Sequence, residues 1–275
     1  MPLVSRKYVV ALGMPRCGTG YLHAEFELAG FKSVRWALGP GRGSIADVAL
    51  RERGLNASRR LVACHVQRAV AAGRLPLDEL PNDVEAVAEM SALYWQDKQR
   101  GLVTSFIPQM QHLDLLLDSY PDAHFILNVC NHKTWIKWIN CHNDMRQRIV
   151  EAELPGLPKG CGAFDADLEK WVADHHRKVV EAALARGVSF LRLDFDRNDW
   201  QVQLQQFLTE IRPSPPPGPN WTLYADEDMT WWHHHQQEWW CKGAGGTPLP
   251  YPDEQQFLTE IPPSPPPGSD WTVYE

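Results

Sequence analysis

The stretch VVALGMPRCGTGYLHAEFELAG, residues 9–30, decides the fold. A short apolar run of the kind found in buried strands leads into a loop with Gly13, Gly18 and Gly20, and a helical pattern begins directly afterwards. Glycines allow a tight turn in which successive amides point toward one anion, and the N-terminus of the following helix adds partial positive charge. The sequence therefore predicts an anion-binding turn between a buried strand and a helix.

Two side chains of this loop suit a bound phosphate. Arg16 can place its guanidinium on the phosphate oxygens, and Thr19 offers a hydroxyl. Gly13 and Gly18 have the spacing of a Walker motif, but Thr19 and Gly20 stand where a magnesium-dependent NTPase has its Lys and Ser/Thr. A phosphate loop of another type is the leading interpretation, and a purely structural turn is the alternative.

Strands and helices alternate outward from this loop as far as residue 211. We expect strands at residues 7–12, 33–36, 103–106, 124–129 and 189–193, and helices at residues 19–29, 45–53, 58–71, 109–120 and 165–186. This alternation predicts an α/β domain over residues 1–211, built as three layers with helices on both faces of a mostly parallel sheet.

Residues 212–275 differ from the rest and predict an irregular, acidic tail rich in Pro and Trp. They hold 13 of the 22 prolines and six of the 12 tryptophans. Segments 205–224 and 255–274 are identical at 16 of 20 positions, which indicates a partial duplication of the last helix followed by a polyproline II tether. The tether could engage a protein partner through an aromatic groove. The histidines at residues 233–235 and Cys241 favour an aromatic, partner-binding segment over a metal site.

Composition excludes several classes of protein. The net charge of −7 resides in the tail, because residues 1–211 carry 25 basic and 25 acidic side chains, which argues against nucleic-acid binding. No apolar run reaches the about 18–20 residues that cross a bilayer. Six cysteines without a CxxC pair predict neither a disulfide framework nor a zinc ribbon, and favour a reduced, cytoplasmic location. The oligomeric state stays open.

Three stretches resemble the sulfotransferase family of bacterial and algal type. PRCGTGYLH at residues 15–23 is similar to the family's 5′-phosphosulfate loop, and SYPDAHFILNVCNHKTWIKWIN at 119–140 is similar to its 3′-phosphate turn. Residues 171–197 resemble its long helix and closing strand. The resemblance implies a P-loop NTPase-like fold that uses 3′-phosphoadenosine-5′-phosphosulfate (PAPS) as donor, without a metal. The acceptor would be a hydroxyl or amine of a small molecule.

The resemblance also assigns site residues. The donor's 5′-phosphate loop would comprise Pro15, Arg16, Cys17, Gly18, Thr19, Gly20 and Tyr21, and Arg16 would also act in catalysis by neutralising the departing phosphate. At the 3′-phosphate, Cys130 stands where the family has arginine, Trp138 stands where a serine is common, and Lys133 could supply replacement charge. Loss of the arginine–phosphate pair would weaken binding by about 2–4 kcal/mol.

The general base and the acceptor site are less defined. His23 and His112 are the candidates for removing the acceptor proton, and hydrogen-bonded structural histidines are the alternative. Loops within residues 42–95 would select the acceptor. The eight arginines of residues 35–74 form a solvated helix face or, alternatively, attract an anionic small molecule. Two other functions stay open for the chain: a catalytically degenerate binding protein that acts through its tail, and a P-loop kinase without the standard lysine.

Overall fold

The computed structural model describes residues 8–38, 61–142 and 144–212. The helix predicted at residues 45–53 and the Pro- and Trp-rich tail from residue 213 onward, with its histidines, lie outside these ranges.

Strands and helices alternate along the described chain. The strands are β1 (Val9–Ala11), β2 (Ser33–Arg35), β3 (Ala86–Glu89), β4 (Ala92–Asp97), β5 (Leu102–Phe106), β6 (His124–Val129) and β7 (Ser189–Asp194). The helices are α1 (Thr19–Leu28), α2 (Val62–Ala71), α3 (Pro108–Gln111), α4 (Leu113–Ser119), α5 (His132–Cys141), α6 (Met145–Glu151), α7 (Asp165–Arg186) and α8 (Trp200–Ile211).

Five strands form one parallel sheet in the order β2-β3-β1-β6-β7. β1 is central, and its Val10 pairs with Val87 of β3 on one side and with Phe125 of β6 on the other. Parallel neighbours need crossover connections, which here carry the helices. β4 and β5 form a separate antiparallel hairpin that follows β3.

Alternate residues of β1 enter two different cores. Val10 and Leu12 pack with α2, α4 and α7 on one face of the sheet, whereas Val9 and Ala11 pack with α1 and α8 on the other. Successive side chains of a strand point to opposite faces, so a strand covered on both faces is apolar throughout. The predicted α/β architecture, with helices on both faces of a parallel sheet, is confirmed.

A third apolar cluster lies around the loop that follows β1. It joins Met14 and Cys17 of the loop to Trp135 of α5 and Trp171 of α7, and it includes the hairpin residue Leu93. The loop therefore packs against side chains that come from distant parts of the sequence.

The predicted strands and helices that fall within the described ranges are observed with bounds close to those expected, whereas β3, β4 and α6 were not predicted. The helix predicted at residues 109–120 is divided at His112, whose φ of −132° is not helical. Of the helix predicted at residues 58–71, residues 58–60 lie outside the described ranges, and the described part begins at Val62 because Leu61 is extended. None of the helices within the described ranges is long and apolar enough to cross a bilayer.

Candidate functional site

The loop after β1 lies at a crevice of the sheet. The connection that leaves β1 runs through α1 on one face, whereas the connection that leaves the adjacent strand β3 runs through α3 and α4 on the other. Divergence of neighbouring connections opens a crevice at the carboxyl ends of the strands, where α/β sheets bind ligands. Residues 12–18 connect β1 to α1 at this edge of the sheet.

Buried side chains hold the loop at both ends. Asn128 of β6 accepts a hydrogen bond from the amide of Gly13 (2.9 Å) and donates one to the carbonyl of Cys17 (2.5 Å). The indole Nε1 of Trp135 donates to the carbonyl of Pro15 at 2.9 Å. Because Asn128 and Trp135 are almost fully buried, these bonds are protected from water and fix the loop before any ligand arrives.

Left-handed backbone at two positions shapes the loop. Arg16 has φ +68° and Gly18 has φ +70°. Gly18 is also the N-cap of α1 and provides no capping side chain, so the first amides of the helix have no partner within it. These amides and the positive end of the helix make the crevice attractive to an anion.

The guanidinium of Arg16 is a partly buried cation with an unused donor. Its Nε atom is buried and has no hydrogen-bond partner in the part of the chain that the structure describes. Burial lowers the pKa of Arg16 from its ordinary value, the carboxylate of Glu89 opposes this, and the charge of Arg35 adds to it. Arginine nevertheless stays charged at neutral pH. A buried charge with a spare donor is stabilised when an anion binds against it.

Arg35 supplies a second positive charge at the same place. It ends β2, and a Cβ built on Gly20 would lie only 2.7 Å from its Nη1 atom, so its guanidinium lies against the first turn of α1. Arg35 belongs to the arginine-rich residues 35–74, for which a solvated helix face was the preferred interpretation. Arg35 itself lies at the end of a strand beside the loop. This position fits the alternative interpretation, in which the arginine attracts an anion.

Glu89 places a carboxylate opposite these cations. It is the last residue of β3, and it accepts hydrogen bonds from the hydroxyls of Thr19 (2.8 Å) and Ser91 (2.6 Å). An ionised carboxylate has lone pairs beyond those two bonds and can accept a proton. Glu89 is not among the predicted site residues, because β3 was not predicted from the sequence. The local signal for it is weak, because only the three residues 86–88 (AVA) form an apolar stretch directly before Glu89.

An open cleft lies beside the loop. Its lining combines two guanidinium groups and a carboxylate with an apolar wall; the residues are Pro15, Arg16, Trp36, Glu89, Ser91, Leu93, His142, Met145 and Arg148. Arg148 donates to the carbonyl of Leu93, and burial lowers its pKa. The cleft thus suits a molecule with an apolar body and a polar group directed toward Arg16 and Glu89.

An acid from the loop after β7 contacts the turn after β6. The first residue of that turn, Cys130, has its Sγ 2.7 Å from the Sγ of Cys17. The next residue, Asn131, caps α5 by accepting a hydrogen bond from the amide of Lys133 (2.9 Å), while its own amide donates to the carboxylate of Asp196. The structure therefore brings Cys130 to the loop, but it also places an acid where the resemblance implies a 3′-phosphate.

The remaining predicted residues lie away from the cleft. His23 shares a 2.9 Å hydrogen bond with the hydroxyl of Ser33, and the ring of His112 packs 5.6 Å from that of Phe106. Trp138 is partly buried on α5. None of the three predicted residues is among those that line the described cleft.

Tyr21 packs into an aromatic group on the other flank of the loop. Its ring centroid lies 6.1 Å from that of Phe195 and 5.9 Å from that of Trp200. Phe195 also covers Gly18, where an added Cβ would lie 2.1 Å from the Phe195 ring. These rings cover the side of the loop that is next to α8. The side of the loop that they leave uncovered faces β2 and β3.

Comparisons with known proteins do not show a family for this chain. No family model matches it, and no curated protein matches it significantly.

Proposed function

We propose that the chain is a sulfotransferase that moves a sulfuryl group from PAPS to the hydroxyl or amine of a small acceptor. The observation that carries the proposal is the buried Nε of Arg16, which has no partner in the described chain and lies beside the uncapped N-terminus of α1. A phosphate oxygen satisfies both features. The resemblance at residues 15–23 makes a nucleotide phosphosulfate the preferred ligand, and a P-loop NTPase-like fold is part of the same proposal.

The loop would bind the donor's 5′-phosphate. The amides of Gly18, Thr19 and Gly20 would donate to its oxygens, and Arg16 and Arg35 would balance its charge. The donor provides the sulfuryl group and a phosphate as leaving group. As the bond between sulfur and the phosphate oxygen breaks, negative charge grows on that oxygen, and the fixed guanidinium of Arg16 would stabilise it.

The cleft would hold the acceptor with its hydroxyl between Arg16 and Glu89. The acceptor oxygen would form the new bond to sulfur, and its proton would pass to the carboxylate of Glu89. Hydrogen bonds from Thr19 and Ser91 keep that carboxylate oriented toward the loop. We prefer Glu89 to the two predicted histidines as the base, because Glu89 lines the cleft.

The turn after β6 favours a second candidate, a catalytically degenerate nucleotide-binding protein. Asp196 accepts a hydrogen bond from the amide of Asn131, and Cys130 replaces the family's arginine at the same turn. Both features oppose binding of a 3′-phosphate. A protein of this kind would bind the 5′-phosphate without turning over the donor.

Two measurements separate these functions from each other and from the kinase alternative. The first is the thermal stabilisation of the full chain by 3′,5′-bisphosphoadenosine and by ATP with Mg²⁺. We expect stabilisation by the bisphosphate alone. Stabilisation only by ATP with Mg²⁺ favours a kinase, and no shift with either ligand contradicts the proposal.

The second measurement is transfer of labelled sulfate from PAPS to a panel of phenols and alcohols. Labelled sulfate esters are the result expected of a sulfotransferase. Binding of the bisphosphate without any transfer identifies the degenerate protein.

A further inference from the structure

Two free thiols meet at the base of the anion loop. The Sγ atoms of Cys17 and Cys130 are 2.7 Å apart, although the residues are 113 positions apart in the sequence. A disulfide bond measures about 2.05 Å, so the sulfurs need to approach by less than about 1 Å to form one. We propose that these two cysteines are an oxidation site, at which a peroxide converts them into a reversible disulfide that ties the loop to the end of β6.

The surrounding hydrogen bonds hold the pair together. Cys130 follows β6, the parallel neighbour of β1, and Asn128 on β6 donates to the carbonyl of Cys17 at 2.5 Å. On the other side of the loop, Trp135 donates to the carbonyl of Pro15 at 2.9 Å. The loop around Cys17 and the strand that precedes Cys130 are therefore already held together when the two thiols meet.

The two cysteines differ in access, which assigns their roles. Cys130 is partly exposed and can meet a peroxide, whereas Cys17 is only 2% exposed. Burial raises the pKa of the Cys17 thiol well above its ordinary value, and contact with Cys130 and the charges of Asp196 and Asp194 act in the same direction. The raised pKa and the burial both disfavour a first reaction of Cys17 with a peroxide, so Cys17 is assigned the second step, in which it resolves the sulfenic acid on the Cys130 sulfur that it contacts.

The chemistry balances in two steps. The sulfur of Cys130 attacks hydrogen peroxide, which is reduced, and the products are a sulfenic acid on Cys130 and water. The sulfur of Cys17 then attacks that sulfenic sulfur, a second water leaves with the Cys17 proton, and the disulfide forms. One peroxide thus oxidises two thiols. A dithiol reductant reverses the reaction by exchange.

The cross-link would have a measurable effect on the whole domain. It links two residues that are 113 positions apart and so restricts the unfolded chain far more than the folded one. The oxidised protein is expected to melt several degrees higher than the reduced protein. This inference is independent of the proposed function, because it needs neither donor nor acceptor.

The test is peptide mapping of the full chain after brief exposure to hydrogen peroxide, digested without reductant. We expect a cross-linked pair of peptides that contain Cys17 and Cys130, two hydrogens lighter than their sum, together with a higher Tm that a dithiol reverses. Cys130→Ser should abolish the cross-link. Cys161→Ser, at another partly exposed cysteine, should leave it intact.

Two results overturn the proposal. One is a Cys130 that oxidises to sulfinic acid in the wild-type protein while no peptide joined to Cys17 forms. The other is a cross-link that forms only after the chain has been unfolded in urea. Both concern the wild-type chain, so they do not depend on whether a serine variant folds.

Discussion

The hydroxyl of Thr19 donates a 2.8 Å hydrogen bond to the carboxylate of Glu89, which joins the first turn of α1 to the end of β3. Thr19 is buried, so water does not compete for this bond. The helix that would receive the phosphate therefore also positions the proposed base. Because this bond links the proposed base to the phosphate loop, the effects of a substitution on binding and on turnover have to be measured independently.

Glu89→Gln should separate proton transfer from binding. The amide is similar in size but cannot accept the acceptor proton, so we expect kcat to fall by about 10²–10⁴-fold. Affinity for 3′,5′-bisphosphoadenosine, measured by calorimetry, should change little. Glu181→Gln, at an exposed site on α7, is the matched control and should turn over normally. An unchanged kcat in Glu89→Gln would show that another group takes the proton.

Arg16→Asn should remove the anion site without unfolding the loop. Arg16 has φ +68°, a conformation that Asn tolerates better than most residues, so the substitution deletes the charge with little added strain. We expect affinity for the bisphosphate to fall by about 30-fold or more, which corresponds to at least about 2 kcal/mol. Arg177→Asn on the exposed face of α7 should bind normally. Equal affinity in both variants would mean that Arg16 does not contact the ligand.

A pair of glycines tests whether Phe195 fixes the loop. Gly18 and Gly73 have nearly the same φ, +70° and +68°, but an added Cβ meets the Phe195 ring at 2.1 Å only at Gly18 and meets nothing within 4 Å at Gly73. Gly73→Ala should therefore cost only the backbone strain, about 1–2 kcal/mol of the free energy of unfolding. Gly18→Ala should cost at least about 2 kcal/mol more, because the ring must move. Equal urea midpoints would contradict the packing described for Phe195.

Asp196→Asn should show whether the charge of Asp196 weakens the binding of a 3′-phosphate at the turn after β6. The variant keeps an oxygen that can accept from Asn131 but removes the negative charge. We expect affinity for 3′,5′-bisphosphoadenosine to rise several-fold while affinity for adenosine 5′-monophosphate stays the same, both measured by calorimetry. A gain for both nucleotides would place Asp196 near the 5′-phosphate instead.

Stability should fall in mild acid because of two adjacent histidines on α7. Burial is the main cause that lowers the pKa of His175 to about 4 and that of His176 to about 3. The unfolded chain has histidines with pKa near 6.5, so it binds more protons than the folded chain below that pH. The stabilising contribution of neutral histidine is complete above pH 6.5 and is lost progressively as the pH falls toward 4.

His176→Gln isolates this effect. The variant removes one titrating group, so the slope of unfolding free energy against pH should be shallower by about 1 kcal/mol per pH unit near pH 5. Urea titrations of the wild-type and variant proteins between pH 5 and 7 measure this difference in slope. The contributions of acidic groups that titrate in both proteins cancel in the difference. Parallel curves would show that His176 titrates normally in the folded protein.

The anion loop and most of the sheet could be predicted from sequence because their signals are local. HFILNV at residues 124–129 is a mostly apolar run typical of a buried parallel strand, and the observed β6 has these bounds. The glycines of residues 13–20 likewise predict a tight turn before a helix. Gly187 ends α7 in the left-handed conformation that favours glycine, directly after the predicted end of the helix at residue 186.

The other half of the site could not be predicted because it depends on tertiary contacts. β3 is only four residues long and reads AVAE, and two alanines are a weak strand signal, so Glu89 was missed. The contact between Cys17 and Cys130 exists only because β6 pairs with β1, and no local pattern reports strand order. The two predicted histidines have the right chemistry, but their neighbours, Ser33 and Phe106, hold them outside the cleft.

The most direct test of the account is a crystal structure of the chain with 3′,5′-bisphosphoadenosine bound. We expect the 5′-phosphate at the amides of Gly18, Thr19 and Gly20, with the Arg16 Nε donating to one of its oxygens at about 2.7–2.9 Å. A phosphate bound elsewhere, or an Arg16 side chain turned toward solvent above an empty crevice, would contradict it.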